Sequence, residues 1–586
     1  MASLPFTSAS KKSRSRKGKK SQTEVVLNLA SSLASGNGFS QFVTMLRVTL
    51  LSFILVAQAA SFSTISRFFR PFGAVGRSIS RRRMATVVET DTTQTYQQLL
   101  VKLKAITHLQ RAQAVLNYDQ LVFMPEAASA ERGAQLAALA TILHEKTTDS
   151  ALKDLMDKVD MPDDPDAQKL LALERKAFVE NERVPAELAA RSAELSSSAY
   201  AAWVTARKEN DFAGFADKLQ ECFDTAKEVA AAKRGDADMS IYTQMLDQFE
   251  VGMSQARIDA IFDEIQSALV PLIARVLAST HGPSTDPLSG QFPIDVQQKL
   301  NEDIVTALGF DTTHGRIDVS VHPFTTSFSP SDVRITSRFN DTEWYQGLAG
   351  SIHEGGHAMY EQNLGSSALS IDSALSMGTH ESQSLFWERH VGLSKPFWEW
   401  ATPKLQEAFK DFGYSPEEVY GAVNHVSQSL IRVEADELTY PLHVILRYQI
   451  ERDIVEGKMS VAELPERWNT QMKEMLQIEV PSDTEGCLQD VHWPSLAIGY
   501  FPTYLIGSAT AAQLAHYCRK DIPDFDDRVR AGDFAAIKAW LTDKVHRHGK
   551  RYASLDELLE DQVGEKLNPA YFISYLTEKY SDLYQL

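Results

Sequence analysis

His353 and His357 stand four residues apart, with Glu354 beside the first, in the run Ser351-Ile352-His353-Glu354-Gly355-Gly356-His357. On a helix, positions i and i+4 lie one above the other, because four residues is slightly more than one turn. Both imidazoles then reach one point. Two imidazoles converging there, with a carboxylate to take a proton from an activated water, form the constellation of a zinc-dependent peptidase. The bland alternative is a surface helix with two solvated histidines. Trp344, Leu348, Ile352, Met359 and Leu364 argue against it, because they supply apolar positions along the stretch and predict a buried or half-buried helix. Buried histidines need partners, and a metal is one. Gly355 and Gly356 oppose helix propensity by about 1 kcal/mol each. Residues that small predict that another helix or a substrate comes close to the backbone.

A catalytic zinc needs a third protein ligand and an open position. Two acids compete. Glu361 lies four residues beyond His357 on the same helix, so it sits a turn past the ion. Glu381, in His380-Glu381-Ser382-Gln383, belongs to a second helix that could cross the first. A ligand from a separate helix closes a tetrahedron better, and favours Glu381.

The chain has 586 residues, 44% of them hydrophobic, enough for a large core or for two or three lobes. Its charge is uneven. Residues 1–84 hold fourteen Lys and Arg against the single acid Glu24; the whole chain carries −18, so the remainder carries −31. An acidic body argues against a nucleic-acid partner. Cys222, Cys487 and Cys518 are widely spaced and form no zinc-ribbon, C-x-x-C or disulfide pattern, which suits a reducing compartment.

Residues 1–84 read as an address. A Ser- and Lys-rich stretch leads to the short apolar run Val48–Ala57 and to Ala57-Gln58-Ala59, an A-x-A-like cleavage pattern. The run is too short to span a membrane, which takes about 20 apolar residues, so no membrane segment is expected in the mature form. Ser61–Arg83 is rich in Ser, Arg and Phe and empty of acid, like an organelle transit peptide. The two-part pattern resembles plastid targeting sequences of algae with complex plastids, and slightly favours plastid over mitochondrion. A mis-assigned start, with Met45 or Met84 as the true one, would make the product cytoplasmic.

Residues 90–586 read mostly as helix. Tyr96–Leu116, Ala134–Leu143, Ala167–Val179 and Pro185–Arg207 repeat apolar residues at helical spacing. Gly282–Pro293 is the best internal linker, between a helical half (90–281) and a metal-site half (294–586). Arg316–Phe328 alternates enough to be β, with Ile317, Val319 and Val321 facing one way, and predicts a small sheet near the active-site helix.

Further motifs follow in order: His322-Pro323-Phe324; Asp332-Val333-Arg334-Ile335-Thr336; the His353–Gln362 run; His380-Glu381-Ser382-Gln383; Ile431-Arg432-Val433-Glu434-Ala435-Asp436; Gly486-Cys487-Leu488-Gln489-Asp490-Val491-His492-Trp493; Gly499–Tyr504; and His546-Arg547-His548-Gly549. With them, residues 90–586 resemble the carboxypeptidase Taq family of zinc metallocarboxypeptidases. Departures are small: Leu385-Phe386 after the HESQ run, where a basic residue is more usual, and Tyr118 in Asn117-Tyr118-Asp119, where the family tends to have Trp. The resemblance implies a mainly α, multi-helix metallopeptidase with a deep narrow groove, one zinc ion per chain and homodimers. It implies removal of single C-terminal residues from peptides, with His353, His357 and Glu381 as zinc ligands and Glu354 as base.

Chemistry suggests the remaining roles. A tetrahedral oxyanion needs donors besides zinc; His492, Tyr500 and Tyr504 are candidates, each tyrosine equally readable as a core aromatic. A free C-terminal carboxylate calls for an arginine fork. Arg432 is the first choice, against an intrahelical pair with Asp436; Arg334 is the second, against a structural pair with Asp332. Asp490 is read as orienting a histidine, and His380 as groove lining. His546 and His548, among Lys544, Arg547, Lys550 and Arg551, read as a solvated basic face, with a substrate-side role as the alternative. Two other functions compete: a zinc endo-oligopeptidase, which would lack the carboxylate-reading arginine, and a non-catalytic helical zinc-binding protein, which would have no use for Glu354.

Overall fold

The computed structural model describes residues 81–160 and 163–586, with side chains from residue 94 onward. The address-like segment 1–84 therefore lies almost wholly outside the described residues. The first helices are α1 (Arg81–Val122), α2 (Ser129–Thr147), α3 (Ser150–Lys158), α4 (Pro165–Arg183), α5 (Ala186–Glu209), α6 (Ala213–Arg234), α7 (Ile241–Asp247) and α8 (Gln255–Ala278). Their starts follow local chemistry. Asp164 accepts the Ala167 N–H with Pro165 in the first turn, and Ser240 and Ser254 cap α7 and α8 in the same way.

The Gly282–Pro293 linker is coil around one short turn, and leads into α9 (Ile294–Leu308). It does not divide the core. One buried cluster runs from Trp203 through Phe262 and Leu269 to Leu348, Leu442 and Tyr584. A smaller one gathers Leu99, Leu103, Leu143, Leu152, Met156 and Leu171 from α1–α4.

Strands β1 (Gly315–Val319), β2 (Thr325–Ser329) and β3 (Asp332–Ser337) form one sheet in the order β1-β3-β2. β1 and β3 pair in parallel, β2 and β3 antiparallel. The small sheet is where the alternation pointed, but the detail is corrected. The stretch is two strands broken around Pro323, whose missing N–H cannot serve a ladder. Val321 lies outside both, and Val319 is 51% exposed instead of facing inward with Ile317. The Tyr118 hydroxyl donates to Asp318 Oδ2 at 2.5 Å and ties α1 to β1.

Beyond the sheet come α10 (Tyr345–Gln362), which carries the two histidines, and α11 (Met377–Leu385), which carries Glu381. The chain continues from α11 into a π-helical segment, Phe386–Gly392. Then follow α12 (Lys395–Ala408), α13 (Pro416–Val423), α14 (Tyr440–Val455), α15 (Leu464–Leu476) and α16 (Pro502–Asp521). The last are α17 (Phe525–Ala531), α18 (Ala535–Lys544), α19 (Leu555–Val563) and α20 (Ala570–Tyr584). Among the described residues, no helix is long and apolar enough to cross a membrane.

The glycines of the motif are explained by packing. A Cβ on Gly356 would come within 2.6 Å of the Gln383 carbonyl and Ser384 Cα, and one on Gly355 within 2.7 Å of Val305. The close neighbours are therefore two helices, α11 on one side and α9 on the other.

Buried titratable groups set an acid limit. Burial holds His443, His492 and His546 down to about 3, and His390 well below its usual value. Their folded forms stay neutral where unfolded histidines protonate, so they lose stability as pH falls below 6.5. Burial raises Glu250 to about 7 and Glu451 to about 8. Those two work oppositely, because the folded state holds their protons where the unfolded one does not. Each group is worth about 1.4 kcal/mol per pH unit. Metal ligands aside, the four histidines outweigh the two carboxyls by roughly 3 kcal/mol between pH 6.5 and 5. The urea midpoint is expected to fall across that interval; a midpoint that rises would contradict the burial of the histidines.

Candidate metal centre and active site

α10 and α11 cross at Gly356, which brings Glu381 over the paired histidines. Glu381 Oε2 lies 3.7 Å from His353 Nε2 and 3.4 Å from His357 Nε2. Among the described residues these three form the only group of three or more His, Cys, Asp or Glu side chains whose donor atoms could hold one metal ion. The outer nitrogens are engaged. His353 Nδ1 meets Glu388 Oε2 at 2.6 Å, and His357 Nδ1 meets the His380 carbonyl at 3.1 Å. Both contacts leave Nε2 free to bind a cation, the arrangement that orients ligating imidazoles.

The charges also fit a divalent cation. Glu354, Glu381 and Glu388 converge here, with Arg389 Nε 4.0 Å from Glu388. Burial opposes a charged His353, but Glu381 and the bond to Glu388 push it up to about 10. Burial pushes Glu381 upward as well, yet the two histidines hold it at about 2. Burial and the nearby His380 hold His357 the other way, down to about 4, so its imidazole stays neutral and its Nε2 keeps a lone pair; with the acids around it, the set suits a metal dication with two nitrogen ligands and one oxygen ligand.

Glu361 goes elsewhere. Its Oε1 meets His380 Nε2 at 3.0 Å, and although burial opposes it, that contact keeps its carboxyl below the usual range. His380 in turn stacks on His357, with centroids 4.4 Å apart. It braces the His357 imidazole as well as lying next to Glu381 in the chain.

Glu354 is 7% exposed, and Thr325 Oγ1 of β2 donates to its Oε2 at 2.6 Å. Burial raises its carboxyl above the usual range, the direction that strengthens a general base.

A wall of tyrosines stands beside Glu381. A Cβ on Gly507 of α16 would come within 2.7 Å of Glu381 Cγ, so the helix lies directly on the carboxylate side chain. Tyr504 is one turn earlier on that helix. Its hydroxyl is 3.1 Å from His492 Nε2, and its ring is 5.3 Å from that of Tyr500. Burial, reinforced by Glu381, keeps Tyr500 protonated; burial and Tyr500 do the same for Tyr504. Both therefore remain hydrogen-bond donors.

Arg432 is 5% exposed, on a short turn instead of within a helix. It does not pair with Asp436, which accepts the N–H groups of Ser427, Leu438 and Thr439. Arg432 reaches Asp490 Oδ1 at 2.9 Å and the Tyr440 hydroxyl at 3.2 Å, while Arg447 takes Asp490 Oδ2 at 2.6 Å. Asp490 thus joins two arginines, with His492 Nδ1 at 3.8 Å; its main partners are the arginines and not the histidine. Arg334 is held by Asp332 through two 2.9 Å bonds and lies against Phe328 and Tyr118, its alternative structural reading.

The solvated basic face is corrected at His546, while Arg547 is exposed as expected and His548 is half-buried. His546 is fully buried, with Nε2 3.0 Å from Gln383 Oε1. Arg547 pairs with Asp543, and Arg551 with Asp166 and Asp372. Neighbouring acids and the packing of α11 consume that charge.

Sequence reading missed Glu388, Thr325, Arg447 and Tyr440. Only Glu388 carried a signal: seven residues beyond Glu381 is about two turns, hence the same face.

Comparison with known proteins decides the family. The description "Carboxypeptidase Taq (M32) metallopeptidase" matches residues 98–580. The chain belongs to the M32 metallopeptidases. Carboxypeptidase 1 of Bacillus subtilis (strain 168) is 39% identical over 493 residues, which cover 83% of this chain and 97% of the relative. Thermostable carboxypeptidase 1 of Pyrococcus furiosus is 35% identical, covering 83% and 98%. The crystal structure of M32 carboxypeptidase from Deinococcus radiodurans R1 superposes with a TM-score of 0.81 at 33% identity, covering 84% of this chain and all of that one. This M32 chain is a metallocarboxypeptidase, a mainly helical hydrolase of peptide bonds, and its family implies a metal ion.

Proposed function

We propose that this M32 enzyme uses zinc, held by His353, His357 and Glu381, to remove single residues from peptides with a free C-terminus. When bound, zinc supplies Lewis acidity that polarises the scissile carbonyl and acidifies water. Glu354 accepts the proton of the attacking water and returns it to the leaving amine. Thr325 fixes the orientation of that carboxylate. Tyr500 and Tyr504 offer hydroxyl donors to the developing oxyanion, and His492 holds Tyr504 in place.

The observation that supports an exo-acting enzyme is the charge of the Arg432–Asp490–Arg447 cluster. Two buried guanidinium groups share one carboxylate, so one positive charge is left over. A substrate C-terminus would neutralise it, and Arg432, bordered by Tyr440 and Tyr504, is the arginine on that side.

Arg432→Ala is expected to lower kcat/KM on free-acid peptides about 10–100-fold, the worth of charge-assisted bonds to a carboxylate. Zinc content should not change, because Asp490 keeps Arg447. Equal loss of zinc and activity would make Arg432 structural. A C-terminally amidated peptide should survive the wild-type enzyme; its cleavage would favour an endo-oligopeptidase.

A further inference from the structure

We propose that Glu250, from the loop between α7 and α8, is a positioning residue for the metal-ligating carboxylate: it grips the first turn of α11 and sets where Glu381 stands. The inference rests on the metal reading of His353, His357 and Glu381. Glu250 is 1% exposed. Its Oε1 accepts the Ser376 hydroxyl at 2.6 Å and its Oε2 the Gly378 N–H at 2.8 Å. Next to it, the Phe249 carbonyl accepts the Met377 N–H at 2.9 Å. Ser376 caps the helix by accepting the Thr379 N–H at 3.0 Å. The first three N–H groups of α11 are thus all taken, two by the Phe249-Glu250 strap and one by a serine whose own proton goes to Glu250.

This grip matters because α11 and the π-helical segment that continues it span only residues 377–392. A helical run of that length is marginal by itself in water; its position comes from what touches it. On its far side Gly507 lies against Glu381, so the ligand is wedged between α16 and the strap's hold on the helix start. A carboxylate at a helix N-terminus is favoured by the macrodipole. Yet Glu250 meets only neutral donors there, Ser376 and Gly378, which makes its burial costly for packing alone. The same strap also braces the tyrosines: Phe249 packs edge-on against Tyr500, with centroids 5.1 Å apart. One loop from the N-terminal half therefore sets both the ligand helix and a candidate oxyanion donor.

The test is zinc affinity, read by competing metal-free enzyme against a chromophoric chelator, with near-UV circular dichroism to check folding. Glu250→Gln keeps the size but turns an amide N–H₂ toward one of the two donors. It is expected to bind zinc about 10–100-fold more weakly, the usual cost of losing a residue that orients a ligand. Its kcat should fall with KM little changed. If Glu250→Gln fails to fold, Ser376→Ala is read in the same way, since it breaks the bond from the carboxylate to the cap. A folded variant whose zinc affinity stays within about threefold of wild type, whatever its melting temperature, overturns the role of Glu250; a larger loss supports it. Wild-type enzyme that takes up no zinc overturns the metal reading itself, and the inference with it.

Discussion

Glu354→Gln is expected to keep zinc bound and to lower kcat by about 10³-fold or more, the upper range for loss of a general base. The physical argument is one of contacts. Glu354 is not among the three groups proposed to hold the ion, so the ion should stay. Thr325 donates to a glutamate oxygen, and the amide oxygen of glutamine accepts the same bond without a change of shape. What disappears is a site for the proton. At about 1.4 kcal/mol per factor of ten, the loss corresponds to about 4 kcal/mol of transition-state stabilisation. Product masses from one defined peptide over time, beside zinc content per chain, give the answer. Wild-type cleavage by this variant would mean that another group takes the proton.

Glu381→Ala should be more destructive, because it removes the metal. Two histidines on a single helix turn would remain, without the charge that now faces both. Losing a residue that only orients a ligand costs about 10–100-fold in affinity, so losing the ligand itself should cost more than that. The variant is expected to leave a chelating resin free of zinc and inactive. It should stay folded, since it leaves an acid-rich site with one negative charge fewer, and the hydrogen bond that Ser384 donates to the lost carboxylate lies within α11. Stoichiometric zinc in folded Glu381→Ala would transfer the ligand role to another acid, with Glu361 or Glu388 next to be tested.

Parts of the site are legible in the amino-acid sequence, for reasons of scale. His353, Glu354 and His357 fall within five residues, and helix geometry alone relates positions that close. Glu381 needs more, a second helix crossing the first. The sequence favours it over Glu361 by argument about a tetrahedron, but only the crossing at Gly356 shows the two histidines facing it. The two glycines announce a close approach without saying by what. Arg432 is legible as a guanidinium suited to a carboxylate, while its partner is not: by sequence Asp436, four residues away, is as good a partner as Asp490, 58 residues away. His546 misleads because its neighbours in sequence are basic, whereas its neighbours in space are Gln383 and Tyr360.

The sequence by itself determined the chemistry: the donor types, their spacing on one turn, the helical character of residues 90–586, and an acidic body with a basic N-terminal segment. These depend on side-chain identity and on the short-range periodicity of the backbone. Tertiary structure alone decided which residues support that chemistry. Glu388 turning onto His353, Thr325 onto Glu354, Arg447 sharing Asp490 and Glu250 closing the start of α11 all join segments distant in the chain. Hydrogen bonds act over about 3 Å, and no local pattern specifies which distant segment will be brought that close; burial of the shared core does.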